Sequence, residues 1–304
     1  MSIEAVQESL VRYSPMPMHS DSQSDDKVME VSGDDPLTIS AHHYFFKPMA
    51  VFFNAFHLRA FETAGVETRP PALDVGCSDG EYGVMLAEVL GETEPMTGID
   101  ISEEDINRAG TKAQSIYKEM IACSATSLPF DDKQFNTAFS NASLLSIDPG
   151  LDDALREINR VLSSGGTFYA SVCTNSYEYS YWLARILNGV GLRSLGRRYM
   201  DSMNRRMQQA HLYSPEEWIS RIETAGFEVV DCFGFFPLRL TRLWSFMAWT
   251  PFRIHGIVSR IPWQGLHNFM RRFYERCFRG VYSRTPRRLP PGECGYIFIK
   301  AVKR

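Results

Sequence analysis

The sequence predicts an α/β fold, a doubly wound, mostly parallel sheet with helices on both faces. Three observations carry this reading. From Pro71 onward, short apolar runs alternate with segments of helical periodicity. The first run, Pro71-Ala-Leu-Asp-Val-Gly-Cys-Ser-Asp-Gly80, ends in a turn of small residues at Gly76, Ser78 and Gly80 and passes straight into a helical pattern from Tyr82 to Leu90. A second apolar run, Met96-Thr-Gly-Ile-Asp-Ile101, ends at an acid and is followed by Ser102 with Glu103, Glu104 and Asp105, a capped helix start.

The elements follow in order. Residues 14–36 are polar, with six acids and one Lys between Asp21 and Asp35, and read as part of a mobile leader spanning 1–38, with a short helix at Ile3–Arg12. A helical cap is expected over 39–69: His42, His43, Tyr44, Phe45 and Phe46 precede Lys47-Pro48. Val51, Phe52, Ala55, Phe56 and Phe61 then recur at helical spacing up to Gly65. Such aromatic density suits a helix that covers the sheet or closes over a substrate pocket.

The main domain is expected over 70–304. Beyond the first two strands it holds strands at Ile121–Ala125, Phe135–Asn141, Thr167–Val172, Phe227–Cys232 and Gly295–Val302. Leu151, Ala154, Leu155, Ile158, Val161 and Leu162 mark one helix face. Ser214-Pro-Glu-Glu217 is a capping box before Trp218, Ile219, Ile222 and Ala225. Two stretches break the alternation and read as helical insertions on the substrate side, 177–210 and 238–290; the second has eleven Arg, no Lys, one acid and ten aromatics.

Bulk properties narrow the function. A chain of 304 residues with 44% hydrophobic and 22% charged residues can bury a substantial core, and a net charge of -4 argues against general nucleic-acid affinity. Six scattered cysteines without a CxxC pair read as reduced thiols, without metal-ligand spacing. Residues 1–15 lack the basic start and apolar run of a secretory signal, and no run of 18 apolar residues occurs, so the expected location is cytoplasmic.

In a doubly wound sheet the ligand lies at the carboxyl ends of the strands, near the switch in strand order. The turn from Asp74 to Gly80, Asp100 and the loop after Ile121 fall there. Gly76, Ser78 and Gly80 let the turn approach a ligand closely, with the helix start facing it. Asp100, twenty residues past Gly80, is placed to accept both hydroxyls of a ribose. The spacing does not match the dinucleotide fingerprint, and no Lys-Ser/Thr pair follows for a P-loop.

With these residues the sequence resembles the class I S-adenosylmethionine-dependent methyltransferases, in particular their small-molecule branch. The resemblance rests on Leu73-Asp-Val-Gly-Cys-Ser-Asp-Gly80, Thr97-Gly-Ile-Asp-Ile101, Ser127-Leu-Pro-Phe-Asp131, Phe135-Asn-Thr-Ala-Phe139, Leu155-Arg-Glu-Ile-Asn-Arg-Val-Leu162 with Gly165-Gly166, and Ala225-Gly-Phe-Glu-Val229. It covers about 70–234 and the last ten residues, and implies a Rossmann-like, seven-stranded sheet whose last strand is antiparallel. It also implies S-adenosyl-L-methionine as cofactor, with Asp74, Gly76, Ser78 and Gly80 toward its methionine part, Asp100 at the ribose and Ile101 against adenine. Ser124, beside Ala125, stands where the family often has an acid for the adenine amine. Asn141 and the residues to Leu145 are expected on the sulfonium side, and Leu144-Leu145-Ser146 lacks the family's His.

Methyl transfer from a sulfonium is an in-line displacement, so alignment comes first, and an oxygen or carbon acceptor needs a base as well. His42, His43, Tyr44, His57, His211 and Tyr213 are the candidates; His43 and His211, in aromatic segments, are the ones expected to act as catalytic residues. The expected acceptor is a small apolar, phosphorylated or lipid-linked molecule. The Arg- and Trp-bearing insertion suits anionic headgroups or a phosphate, so peripheral membrane contact is expected there rather than nucleic-acid binding. A non-catalytic binding protein of the same fold and an RNA methyltransferase are the alternatives.

Overall fold

A computed structural model describes residues 35–44, 47–91, 94–206, 209–249 and 264–304. The helix expected at Ile3–Arg12, nearly all of the leader, and Trp263 lie outside them. Helix α1 (Pro36–His43) starts inside the stretch assigned to the leader. Asp35 caps it, accepting from the Leu37 and Thr38 N–H groups, and Pro36 occupies the first turn. Its approach to the rest of the chain is fixed from far away, by Thr38 Oγ1 donating to Glu275 at 2.6 Å and by an Asp35–Arg279 ion pair.

Helix α2 (Pro48–Thr63) buries Phe52, Ala55, Phe56, Leu58, Ala60 and Phe61 together with His57 and Arg59. A helix apolar on nearly all sides must be covered on nearly all sides. The sheet covers one: Phe61 meets Phe139 and Phe298 with ring centroids 6.4 and 4.8 Å apart. The insertion covers another: Phe52 lies 5.0 Å from Phe278 and Phe56 5.3 Å from Tyr282. Each such ring, buried, contributes about 1.5–3 kcal/mol.

Strands β1 (Ala72–Val75), β2 (Met96–Asp100), β3 (Tyr117–Ala122), β4 (Phe135–Asn141), β5 (Leu162–Cys173), β6 (Phe227–Pro237) and β7 (Cys294–Lys303) form a seven-stranded sheet in the order β3-β2-β1-β4-β5-β7-β6. β1 to β5 run parallel, while β7 is antiparallel to both β5 and β6. This is the expected α/β architecture, with its switch in strand order between β1 and β4. β3 begins earlier than the sequence suggested, at Tyr117 instead of Ile121. It is an edge strand carrying Lys118 and Glu119 outward, and those charges hide the apolar run.

The helices between the strands are α3 (Glu81–Leu90), α4 (Glu103–Asn107), α5 (Thr111–Ile116) and α6 (Leu151–Val161), followed by α7 (Trp182–Gly189), α8 (Arg193–Arg206) and α9 (Pro215–Thr224). Helices α10 (Leu238–Trp249) and α11 (Gln264–Arg284) lie in the insertion before β7. α6 buries Leu151, Ala154, Leu155, Ile158 and Val161, the face its periodicity predicts. α9 buries Trp218 and Ile222 beside them, with Trp218 Nε1 donating to the Cys173 carbonyl at 2.9 Å. The aromatic helices α2, α10 and α11 pack together on the opposite face.

Candidate functional site

The turn after β1 is shaped by neighbouring backbone. Gly76 and Cys77 donate to the Ile99 carbonyl at 2.8 and 2.9 Å, and Gly80 donates to the Cys77 carbonyl at 2.9 Å. Gly76 has φ 84°, and a Cβ there would stand 2.2 Å from the Ser143 Cβ, so only glycine lets β1 run this close to the loop after β4. Ser78 also has positive φ, 51°. Its N–H donates to Asp100 Oδ2 at 2.8 Å, and the other oxygen of Asp100 accepts from Ser102 N–H at 2.9 Å. One carboxylate thereby joins the turn to the end of β2. The next side chain, Ile101, is 81% exposed and forms an apolar shelf beside it.

A cavity of about 160 Å³ opens at this edge of the sheet, between Tyr44, Asp74, Gly76, Ser78, Tyr82 and Asn141. Four of the expected cofactor residues, Asp74, Gly76, Ser78 and Asn141, thus meet at one cavity, and Asp100 braces it from β2. Gly80 is placed differently. It starts α3 against Ala113 and Tyr117, where a Cβ would come within 2.8 Å of the Ala113 Cβ, so its smallness serves packing. Ser124 lies in the loop after β3, with Ala125 beside it, and its hydroxyl pairs with Thr126 Oγ1 at 2.8 Å.

Asp74 is buried at the cavity floor. Tyr117 donates its phenol to Asp74 Oδ2 at 2.5 Å. Burial pushes the carboxyl up to about 7, against the pull of the Tyr117 hydroxyl and with a smaller push from the Asp100 charge. The sequence reading did not include Tyr117. A signal existed in Gly83, inside a helix, and Gly98, inside a strand: Cβ atoms there would stand 1.9 Å from the Tyr117 hydroxyl and 2.9 Å from its ring.

Asn141 looks two ways. It lines the cavity, and its Oδ1 accepts from Ser171 Oγ at 2.6 Å and from His57 Nδ1 at 2.8 Å. With Nδ1 as donor, His57 keeps a lone pair on Nε2, which is buried and has no hydrogen-bond partner among the described residues. Burial depresses this imidazole to about 3, only partly offset by Asn141, so it stays neutral. Around the ring stand Phe53, Phe235 and Tyr296, with centroids 4.0, 4.8 and 4.9 Å away. Trp244, 6.0 Å from Phe53, brings a buried donor, Nε1, that also has no partner among the described residues. A buried polar atom left unpaired costs about 1–3 kcal/mol, and here two lie in one aromatic wall.

The two histidines expected to be catalytic sit elsewhere. His43 is clamped between Glu81 and Glu88 of α3, its Nε2 3.1 Å from Glu88. Although burial opposes its charge, the two carboxylates outweigh it and raise the imidazole's pKa. Held between these two acids, His43 joins α1 to α3. His211 donates from Nε2 to the Ile147 carbonyl at 2.7 Å and accepts at Nδ1 from Tyr213 at 3.1 Å, with both rings stacked. Its backbone N–H reaches Leu145, so it braces the loop after β4 with both nitrogens engaged. Of the other candidates, Tyr44 borders the cavity and His57 adjoins Asn141.

Comparison with known proteins agrees with this geometry. Residues 69–213 match the family described as a methyltransferase domain. Demethylmenaquinone methyltransferase of Staphylococcus aureus is 34% identical over 109 residues, which is 36% of this chain and 45% of that protein, so the chain spans less than half of the relative. Among solved structures, the cyclase SpnF superposes with a TM-score of 0.51 at 20% identity, over 83% of this chain and 82% of that one. A geranyl diphosphate methyltransferase in complex with GPP and sinefungin gives 0.50 at 14% identity, over 84% and 81%. These likenesses are of fold, and a fold by itself does not set the reaction. The family match over residues 69–213 and the conjunction of turn, Asp100 and strand order are together those of a methyltransferase domain.

Proposed function

We propose that this chain transfers a methyl group from S-adenosylmethionine to a small, apolar acceptor held in the aromatic wall around His57. The observation that carries the reading is Asn141, which borders the cofactor cavity on one side and holds His57 on the other. The residues present fit the cofactor. Asp100 is the acceptor for its ribose hydroxyls and Ile101 the shelf for adenine, with Ser124 and Ala125 at the rim. The Gly76–Ser78 backbone and Asp74 meet the methionine end. Bound there, the cofactor supplies an activated methyl on sulfur.

The chain's part is then to align and to take a proton. Phe53, Phe235, Trp244 and Tyr296 offer apolar surface and exclude water. His57 accepts a proton at Nε2 from an acceptor O–H or acidic C–H, while Asn141 Oδ1 fixes the proton on Nδ1. The relative named for demethylmenaquinone supports an apolar acceptor. A phosphate on the acceptor has less support, because Arg279, Arg287 and Arg288 of the insertion are drawn to Asp35, Glu62 and Asp231.

The deciding experiment incubates the protein with methyl-labelled S-adenosylmethionine and a cell extract, then separates lipid, aqueous, protein and RNA fractions. Label in the lipid-soluble fraction is the expected result. Label confined to RNA or protein would sink the small-acceptor reading. Absence of binding heat with either the cofactor or its demethylated product would sink the enzyme reading.

A further inference from the structure

Helices α7 and α8 form a hairpin that the cofactor site does not use. Gly191, at φ 84°, makes the turn, and Gly196 brings α8 close enough that a Cβ would stand 2.4 Å from Asn188 Oδ1. A hairpin joined this tightly would ordinarily turn its apolar residues inward. Here Ile186, Val190, Leu192 and Leu195 are 53, 66, 51 and 50% exposed, clustered at and beside the turn. Large aliphatics grouped in this way on a surface mark a contact with something else.

The charges of the same hairpin say what that is. From Trp182 to Arg206 the sequence has six arginines, no lysine and one acid, in a chain whose net charge is -4. Arg185, Arg193, Arg197 and Arg198 are exposed, and among the described residues none of them forms an ion pair. Elsewhere Arg221, Arg279, Arg287 and Arg288 each reach a carboxylate. Arg193 and Arg197 also line, with Asn188 and Met200, a cleft of about 230 Å³ between the two helices. Two guanidinium groups at a cleft suit a phosphate, whose oxygens arginine grips in bidentate fashion. Exposed aliphatics beside a phosphate-sized basic cleft form the pattern of an interfacial anchor.

We propose that the α7–α8 hairpin docks the protein on an anionic lipid surface, its aliphatic turn in the acyl boundary and its Arg193–Arg197 cleft on a lipid phosphate. Helix α7 follows β5 after one short 3-10 helix, Asn175–Ser180, at the carboxyl end of that strand. Docking there brings the aromatic wall near the bilayer, through Tyr177, whose ring meets Trp244 at a tilt and Tyr296 edge-on, with centroids 6.4 and 5.6 Å away. The surface stands on its own observations, and it gives an apolar acceptor a route from the membrane. The insertion, where sequence placed such contact, packs on α1 and α2 through contacts with Asp35, Thr38, Phe52 and Phe56.

The test is sedimentation of the full chain with phosphatidylcholine vesicles, with and without phosphatidylglycerol. Wild type is expected to bind the phosphatidylglycerol vesicles and to release as salt rises. Arg193→Gln with Arg197→Gln should weaken binding about 30-fold, two cationic contacts being lost. Val190→Ser with Leu192→Ser should weaken it about tenfold or more, while Arg272→Gln on α11 leaves it unchanged. Each variant is first shown to bind S-adenosylmethionine as wild type does, so a folding failure or a misplaced cofactor site is recognised separately.

Equal binding to both vesicle types overturns the proposal. It also fails if inorganic phosphate protects the cleft while the serine variants bind vesicles normally, which would mean a soluble anion site. Finally, it fails if the serine variants dissociate a dimer and no vesicle binding is seen, which would mean self-association.

Discussion

The phenol of Tyr117 reaches the buried carboxylate of Asp74 by crossing two glycines, Gly83 of α3 and Gly98 of β2. This bond ties the carboxyl at the cavity floor to β3. Tyr117→Phe keeps the ring and removes the donor, leaving Asp74 without that partner. The expected loss is about 1–3 kcal/mol of stability, read as a lower urea midpoint at constant slope. Gly98→Ala should mimic it by displacing the ring. An unchanged midpoint for both would mean that the contact contributes nothing.

Asp74 also gives a pH signature. Its folded pKa, about 7, is raised from the model-compound value of 3.8 by burial. Stability from this group is therefore fully present below the unfolded value and is lost as pH rises through 7. The difference is on the order of 4 kcal/mol at the extreme. Asp74→Asn cannot ionise, so the stability of wild type relative to this variant should fall between about pH 4 and about pH 7 and level off above. His57, whose pKa is depressed, acts in the opposite sense but is common to both proteins and cancels. A constant gap across that range would show that Asp74 does not titrate there. A ligand ammonium beside Asp74 should reverse the trend, so cofactor affinity rises with pH over the same window.

Asp100→Ala removes the acceptor of two backbone N–H groups, at Ser78 and Ser102, as well as the proposed ribose contact. Charge-assisted bonds of this kind are worth about 1.5–3 kcal/mol each when broken. Calorimetry should show cofactor affinity falling by tenfold or more, with circular dichroism unchanged. Equal affinity would move the cofactor away from β2.

Much of this architecture could be read from short stretches. The turn at Asp74–Ser78, the strand-end Asp100 and the apolar face of α6 are local patterns, and their structural places follow from sequence. What escaped is set by packing between distant segments. His57 meets Asn141 across 84 residues, and no property of either stretch announces it. Tyr117 sits in an edge strand whose adjacent charges, Lys118 and Glu119, break the apolar run. The aromatic surroundings of His43 are visible in sequence, whereas its contacts with Glu81 and Glu88, two residues on another helix, are not. Helix α1 carried a legible Asp-Pro start that the acidic composition before it obscured.

His57 separates two meanings of a buried histidine, a base or a prop for Asn141. Gln at this position can still donate an N–H to Asn141 Oδ1 but has no basic nitrogen. Phe removes both and fills the site. If His57 takes the proton, His57→Gln should lower kcat by about 10²–10⁴-fold at saturating cofactor, with cofactor affinity within a few-fold of wild type. The Phe variant should lose the same activity and also some stability, since Asn141 then keeps only Ser171 as a donor to its side-chain oxygen. Because the imidazole stays neutral down to about pH 3, wild-type turnover should show no histidine limb near pH 6.5. A Gln variant with kcat within threefold of wild type would make His57 a positioning residue, with the base supplied by the acceptor itself or not needed at all.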